Sequence, residues 1–77
     1  MGKRSDWTGF QPGKSEVIDL TEGKTLVVVL FGTLKIKAVR GRARFDARSL
    51  SPVLLPPGQY VFESPRYTGA FIMRGRE

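Results

Sequence analysis

The chain contains no cysteine and no histidine among its 77 residues. Without cysteine it forms neither a disulfide nor a thiolate zinc site, and without histidine it lacks the commonest nitrogen ligand for a metal. A chain this short hides only about 60% of the surface that it exposes when unfolded, so its core is thin. Small folds compensate with disulfides, metals or association. Because the sequence excludes most of the first two, it predicts homo-oligomerisation.

Long apolar segments and catalytic patterns are missing as well. The longest apolar run, residues 26–31, is too short to cross a bilayer, and no apolar stretch follows Lys3 and Arg4, as it would in a signal peptide. Serine has no histidine to act as its base, and the seven carboxylates are scattered. We therefore expect a non-enzymatic protein of a virion or a host cytoplasm, with no cofactor, metal, membrane or small-molecule substrate.

What is present instead indicates β structure. Period-two alternation and β-branched runs recur between glycine and proline, and no window has helical spacing. The sequence predicts an all-β fold, a small antiparallel β-sandwich or partly open barrel of six to seven strands built from hairpins. Residues 1–14 are expected to form an extended N-terminal arm, and residues 15–77 a single β domain. The predicted strands are residues 16–20, 25–31, 34–39, 42–48, 53–55, 59–63 and 69–74.

One hairpin can be predicted together with its register. The alternating apolar positions are 34, 36 and 38 before Gly41 but 43, 45 and 47 after it, and a turn at Arg40 and Gly41 explains this change of phase. A two-residue loop would hold Arg40 at positive φ, which a longer loop avoids. The predicted cross-strand pairs are Leu34 with Ala47, Lys35 with Asp46, Ile36 with Phe45, Lys37 with Arg44 and Ala38 with Ala43.

Two further expectations concern the rest of the fold. Pro57 and Gly58 are typical of a type II turn, which would pair residues 53–55 with residues 59–63 as a second hairpin. The run at residues 26–31 is apolar at every position, so we expect it to be buried on both faces, either between sheets or beneath another subunit. The predicted core is Ile18, Leu20, Leu26, Val28, Leu30, Leu34, Ile36, Phe45, Leu54, Tyr60, Phe62, Phe71 and Met73.

Basic residues are concentrated in the predicted hairpin. The net charge is +6, and the segment 34–48 supplies five of these six charges. Like charges at Lys37 and Arg44 repel each other unless an anion neutralises them, so one face of the hairpin is predicted to bind an anion or a partner. A solvated face, an acidic protein and nucleic acid are the three alternatives. This predicted basic face consists of Lys35, Lys37, Arg42, Arg44 and Arg48.

The predicted arm carries two large aromatic residues, Trp7 and Phe10, between glycine and proline. Each ring can bury some 150–250 Å². An arm of this kind either folds back over its own core or docks on another subunit, and we predict that Trp7 and Phe10 act in assembly.

Two short segments resemble a known family. Residues 41–46, Gly-Arg-Ala-Arg-Phe-Asp, and residues 71–75, Phe-Ile-Met-Arg-Gly, resemble the Sm motifs of ring-forming Sm-like RNA-binding proteins, which implies a bent barrel that uses the basic hairpin of residues 35–48 to bind nucleic acid. The thin core, the aromatic arm and the missing catalytic groups favour another function. They predict a structural assembly subunit, namely a capsid decoration or tail component of a bacteriophage, with the Sm-like module as the alternative.

Overall fold

Two antiparallel sheets of four strands each face one another in the computed structural model, which describes residues 4–74. The strands are β1 (Arg4–Phe10), β2 (Ser15–Leu20), β3 (Thr25–Phe31), β4 (Thr33–Ala38), β5 (Arg44–Arg48), β6 (Val53–Leu55), β7 (Gly58–Glu63) and β8 (Thr68–Arg74). Sheet A has the strand order β1-β8-β3-β6, and sheet B has the order β2-β7-β4-β5. The predicted all-β sandwich is therefore confirmed, with eight strands.

Most strands of the sandwich are not joined as hairpins. Only β4 and β5 are consecutive in the chain and paired in one sheet, and each of the other six connections between described strands crosses to the opposite sheet. The predicted hairpin of residues 53–55 with residues 59–63 is wrong, since β6 pairs with β3 whereas β7 pairs with β2 and β4. Pro56 and Pro57 have no amide hydrogen to continue a ladder, so the chain leaves sheet A after Leu55.

The first strand lies within the segment predicted to be an arm. β1 pairs with β8 along its whole length, from Arg4 opposite Arg74 to Phe10 opposite Thr68. Gly9 weakens the strand pattern of the sequence, but in the structure it lies opposite Gly69 in the ladder. Pairing with a strand from the far end of the chain, rather than local propensity, makes this segment a strand.

The chain passes from sheet A to sheet B at Gly32, between β3 and β4. Gly32 has a φ of +89°, and a Cβ at this position would lie 2.9 Å from the Cα of Thr68. The buried Thr68 hydroxyl accepts a hydrogen bond from the Thr33 amide at 3.1 Å and lies 3.1 Å from the Thr33 carbonyl oxygen. Only glycine fits this crossing, because both the backbone angle and the close approach exclude a side chain.

The hairpin of β4 and β5 has the predicted register, from Leu34 opposite Ala47 to Lys37 opposite Arg44. The Ala38 amide donates to the Ala43 carbonyl at 3.0 Å, which leaves residues 39–42 as the loop. Gly41 takes a φ of +88°, and no described residue other than glycine has a positive φ. The longer loop therefore spares Arg40 the strain of a two-residue turn.

The core lies between the sheets, and its composition differs from the prediction in sheet A. In sheet B the predicted inward residues Leu20, Leu34, Ile36, Tyr60 and Phe62 are buried. In sheet A the residues left out of the predicted core are the ones that face inward. The prediction failed there because β3, β6 and β8 are apolar on both faces, so polarity does not show which face is buried. The buried residues of these three strands are Thr25, Val27, Val29, Leu55, Thr68, Gly69, Ala70 and Ile72, in place of the predicted Leu26, Val28, Leu30, Leu54, Phe71 and Met73.

Candidate interaction surface

The outward side of sheet A is apolar across its strands. Leu30 in β3 is 50% exposed and Leu54 in β6 is 55% exposed. None of the described outward side chains of these strands is charged, and Tyr67 extends the surface just before β8. We call this surface the apolar face. It consists of Trp7, Leu26, Val28, Leu30, Phe31, Leu54, Tyr67, Phe71 and Met73.

Strand register aligns these side chains in rows across the sheet. Phe71 in β8 lies between Trp7 in β1 and Val28 in β3. Leu26 in β3 lies opposite both Met73 in β8 and Leu54 in β6. Cross-strand neighbours of this kind contact each other, so the rows form a continuous apolar surface.

An aromatic cluster stands at one end of the apolar face. The Trp7 ring centroid lies 5.3 Å from that of Phe71 and 6.1 Å from that of Phe31, and Phe31 lies 5.7 Å from Tyr67. Gly69 provides the floor of the cluster, since a Cβ there would lie 2.7 Å from the Phe31 ring and would also clash with Trp7. The missing side chain at Gly69 therefore leaves the room that the Trp7 and Phe31 rings occupy.

The apolar face is large for a protein of this size. Trp7, Phe31 and Tyr67 are 49%, 44% and 52% exposed. At some 150–250 Å² for each ring, these three side chains alone present about 300 Å² of apolar surface. That already equals the lower bound of the largest patch on a typical monomer, roughly 300–600 Å², before the leucines are added. Exposed apolar patches that are larger than those of a typical monomer mark interaction sites.

The two aromatic residues of the predicted assembly arm have different positions. Phe10 is buried between the sheets, where its ring stacks on Phe62 with a centroid distance of 5.7 Å. Trp7 lies on the apolar face. Two alternatives were open for the arm. Phe10 folds back onto the core of its own chain, whereas docking of Trp7 on another subunit remains a prediction.

All five residues of the predicted basic face are exposed, but one of them, Lys35, lies between two carboxylates. Lys35 lies opposite Asp46 in β5, as predicted, and also opposite Glu63 in the neighbouring strand β7. Lys37 lies opposite Arg44, and its other neighbour, Val61, is uncharged. The position of Glu63 beside Lys35 was not predicted from the sequence, because β7 and β4 are distant in the chain and are paired only in the tertiary structure. No carboxylate lies opposite Lys37, Arg44 or Arg48 in the register, and the role of this face remains a proposal.

The space between the sheets holds apolar side chains rather than metal ligands. Among residues 7–74, the buried polar side chains are those of Thr25, Ser64 and Thr68. In the described part of the chain, no group of three His, Cys, Asp or Glu residues could hold a metal ion. The donor set of the described interior therefore does not fit a bound metal, and it offers no paired acid and base.

One signal in the sequence pointed to the apolar face. The run at residues 26–31 is apolar at every position, and its burial beneath another subunit was one of two alternatives. In the structure Val27 and Val29 are buried, whereas Leu26, Leu30 and Phe31 are exposed. Burial of both faces within one chain is therefore wrong, and the alternative of a covering subunit remains.

Comparisons with solved structures show which known domains share this fold. The chain superposes on a cupin superfamily protein from Desulfitobacterium hafniense with a TM-score of 0.81 and 14% identity, over 99% of this chain and 69% of that one. The cupin domain of Schizosaccharomyces pombe Cnp3 gives a TM-score of 0.75 with 10% identity, over 99% of this chain and 54% of that one. Drosophila melanogaster CENP-C, in a complex with CAL1, gives 0.71 with 10% identity, over 92% and 62%.

No family model and no curated protein matches the sequence. The chain thus shares the jelly-roll fold of cupin domains, two four-stranded sheets packed face to face. The predicted function as a virion protein is wrong, because the similar structures are cupin domains rather than capsid or tail proteins, and the Sm-like alternative is likewise unsupported. A virion location has no support either. The strands and loops of residues 4–74 include no helix that could span a membrane.

Proposed function

We propose that the protein is a non-enzymatic association module that forms a homodimer by packing the apolar faces of two copies against each other. The observation that carries this proposal is the apolar face itself, which has exposed leucine and aromatic side chains and no charge among its described residues. A twofold dimer uses the same patch on both subunits, so an uncharged apolar surface is complementary to its own copy. Trp and Tyr, which dominate binding energy at interfaces, are both present on it.

The dimensions of sheet A suit such a dimer. Strands lie about 4.8 Å apart and rise about 3.3 Å per residue, so sheet A is roughly 20 Å wide, about 23 Å long over the seven-residue strands β1, β3 and β8, and about 10 Å long over the three-residue β6. Two such faces bury on the order of 800 Å² together, which is the size of weak, transient interfaces. We therefore expect a dimer that dissociates at micromolar concentration.

The net charge of +6 does not oppose this arrangement. The basic hairpin belongs to sheet B, on the side of the sandwich away from the apolar face. In a dimer packed through sheet A, the two outer sheets are separated by three sheet spacings, or about 30 Å. The Debye length at physiological ionic strength is about 8 Å, so repulsion between the two hairpins is screened.

Two further observations support association without catalysis. The described interior lacks a metal-binding group and an acid–base pair, and the chain has no histidine or cysteine. Among proteins of the same fold, Drosophila melanogaster CENP-C is bound to another protein, CAL1. Protein contact is therefore a use to which this fold is put.

Sedimentation velocity at about 1 to 100 µM tests the proposal, a range that brackets a micromolar dissociation constant. The variant Leu30→Lys places a charge in the apolar face, and Val17→Lys is the matched control on the outward side of sheet B, where Val17 is 66% exposed. We expect the unmodified chain and Val17→Lys to reach twice the chain mass, whereas Leu30→Lys remains monomeric. Circular dichroism checks that all three proteins are folded.

Two outcomes would overturn the proposal. The first is an unmodified chain that remains monomeric at the highest concentration, which would assign the apolar face to a different protein or to no partner. The second is a Val17→Lys variant that dissociates as much as Leu30→Lys, which would show that added charge, rather than its position on the apolar face, breaks the contact.

A further inference from the structure

A separate cleft opens at the end of the sandwich where the β4–β5 loop meets the crossing from β6 to β7. Its volume is about 470 Å³, within the roughly 300–1,000 Å³ of small-ligand sites. It lies away from the apolar face and shares no residue with it. Its lining is mostly apolar and includes Val39, Ala43, Pro56, Pro57 and Tyr60 together with Arg40.

The cleft is held open by small side chains and a fixed backbone. Ala38 and Ala43 form the last pair of the hairpin, joined by a backbone hydrogen bond of 3.0 Å. The Val39 amide donates to the Gln59 carbonyl at 2.9 Å, which ties the loop to β7. On the opposite wall, the Tyr60 hydroxyl donates to the Pro56 carbonyl. Both walls are thus positioned without a ligand.

Tyr60 is a nearly buried residue among those that line the cleft. The residue is only 4% exposed, and burial raises the pKa of its phenol above the ordinary value. Its single proton is engaged with Pro56, so the hydroxyl oxygen is free to accept but not to donate. Tyr60 therefore offers a ligand its ring but no hydroxyl proton.

The surroundings of the cleft are positively charged. Arg40 lines the cleft, and Lys37, Arg42 and Arg44 line a second concavity that shares Ala38 and Ala43 with it. A nearby carboxylate, Asp19, accepts a hydrogen bond from the Thr21 amide at 3.1 Å, and its hydrogen bonds with Thr21 lower its pKa. Asp19 thus has a partner of its own, and an arginine at an apolar cleft has the chemistry to bind a carboxylate.

We propose that this cleft binds a small organic carboxylate whose apolar body enters between Val39, Ala43 and Pro57 while its carboxylate contacts Arg40. The apolar lining selects the body, and the four cations around the hairpin loop select an anion over a neutral or cationic molecule. The volume of the cleft favours a free small molecule over an extended peptide. The site acts in binding only, since no catalytic group lines it.

Titration of the full chain with octanoate, followed by the backbone amide resonances of Val39, Ala43 and Tyr60 in ¹H–¹⁵N NMR spectra, tests this proposal. We expect saturable shifts at these residues, and much weaker ones with 1-octanol, which lacks the charge, and with acetate, which lacks the body. Arg40→Glu should weaken octanoate binding by about tenfold, the loss of one charge-assisted contact. Arg48→Glu is the matched control, because it makes the same change of charge at the far end of β5.

Ala43→Trp provides a second variant that fills the cleft from an exposed position, and it should abolish the shifts without unfolding the chain. The proposal is overturned if octanol binds as tightly as octanoate, or if Arg48→Glu weakens binding as much as Arg40→Glu. It is also overturned if the shifts map to the apolar face, or if only a glutamate-rich peptide, and not octanoate, shifts the resonances of the cleft.

Discussion

The outward faces of the two sheets differ in kind although both sheets have four strands and share one core. On sheet B, β4 alternates between exposed Lys35 and Lys37 and buried Leu34 and Ile36. On sheet A, β3 is apolar on both faces, and its outward residue Leu30 is half exposed to solvent. The polarity of a side chain thus predicts whether it faces inward or outward only where the outward face of the sheet is polar. Where both faces are apolar, the outward face is a candidate interaction surface.

The largest effect that tests this comparison is expected at two adjacent residues of β3. Val29 is 1% exposed and Leu30 is 50% exposed. Val29→Asp should lose about 3–5 kcal/mol, because it leaves an unpaired charge between the sheets, and this approaches the whole stability of a small domain. Leu30→Asp should change the monomer by about 0.5 kcal/mol at most. Urea unfolding at low protein concentration measures both, and equal losses would contradict the assignment of inward and outward faces.

An intermediate effect separates a crossing between sheets from a turn within one sheet. Gly32 and Gly41 have nearly the same φ, +89° and +88°, but a Cβ at Gly32 would approach the Thr68 backbone, whereas Gly41 has nothing within 4 Å. Gly41→Ala should cost about 1 kcal/mol from the backbone angle alone. Gly32→Ala should cost a further 1–3 kcal/mol, roughly, from overpacking. Thermal unfolding compares the two variants, and equal midpoints would show that the crossing has room for a side chain.

The smallest effect concerns the charges on sheet B. Lys37→Glu replaces a repulsive pair with Arg44 by an attractive one and should stabilise the chain by about 0.2–1 kcal/mol. Lys35→Glu, two residues away, should destabilise it by a similar amount, because Asp46 and Glu63 flank that position. Urea unfolding in low and high salt distinguishes the two variants, since both changes should shrink as salt increases. The same sign for both would contradict the position of Lys35 between two carboxylates.

Local features of this fold were predictable from sequence. The β4–β5 hairpin and its register follow from the change of phase at Gly41, because both strands and the turn lie within fifteen residues and one of their faces is polar. Strands β2 to β8 were located from alternation and β-branched runs, whereas β1 was predicted as an arm. The basic residues of the hairpin were also found, because their positions depend only on that register.

Features that depend on distant residues were not predictable. The pairing of β1 with β8 joins the two ends of the described chain, and nothing near Gly9 indicates a strand there. Pro57 and Gly58 form a turn signal, but the turn leads to the other sheet rather than back along β6. Glu63 reaches Lys35 only because β7 is inserted beside β4. The apolar face arises from four strands that are far apart in the chain.

The sequence by itself determined that this protein is a small all-β domain with a basic hairpin and without histidine or cysteine chemistry, since composition and period-two alternation act over a few residues. Only the tertiary structure decided which face of β3, β6 and β8 is buried. Both phases of these strands are apolar, so their direction depends on which strands pair and on the second sheet that covers them. The lack of cysteine and histidine, from which association was predicted, is visible in the sequence. The apolar face that could mediate association is formed only in the tertiary structure.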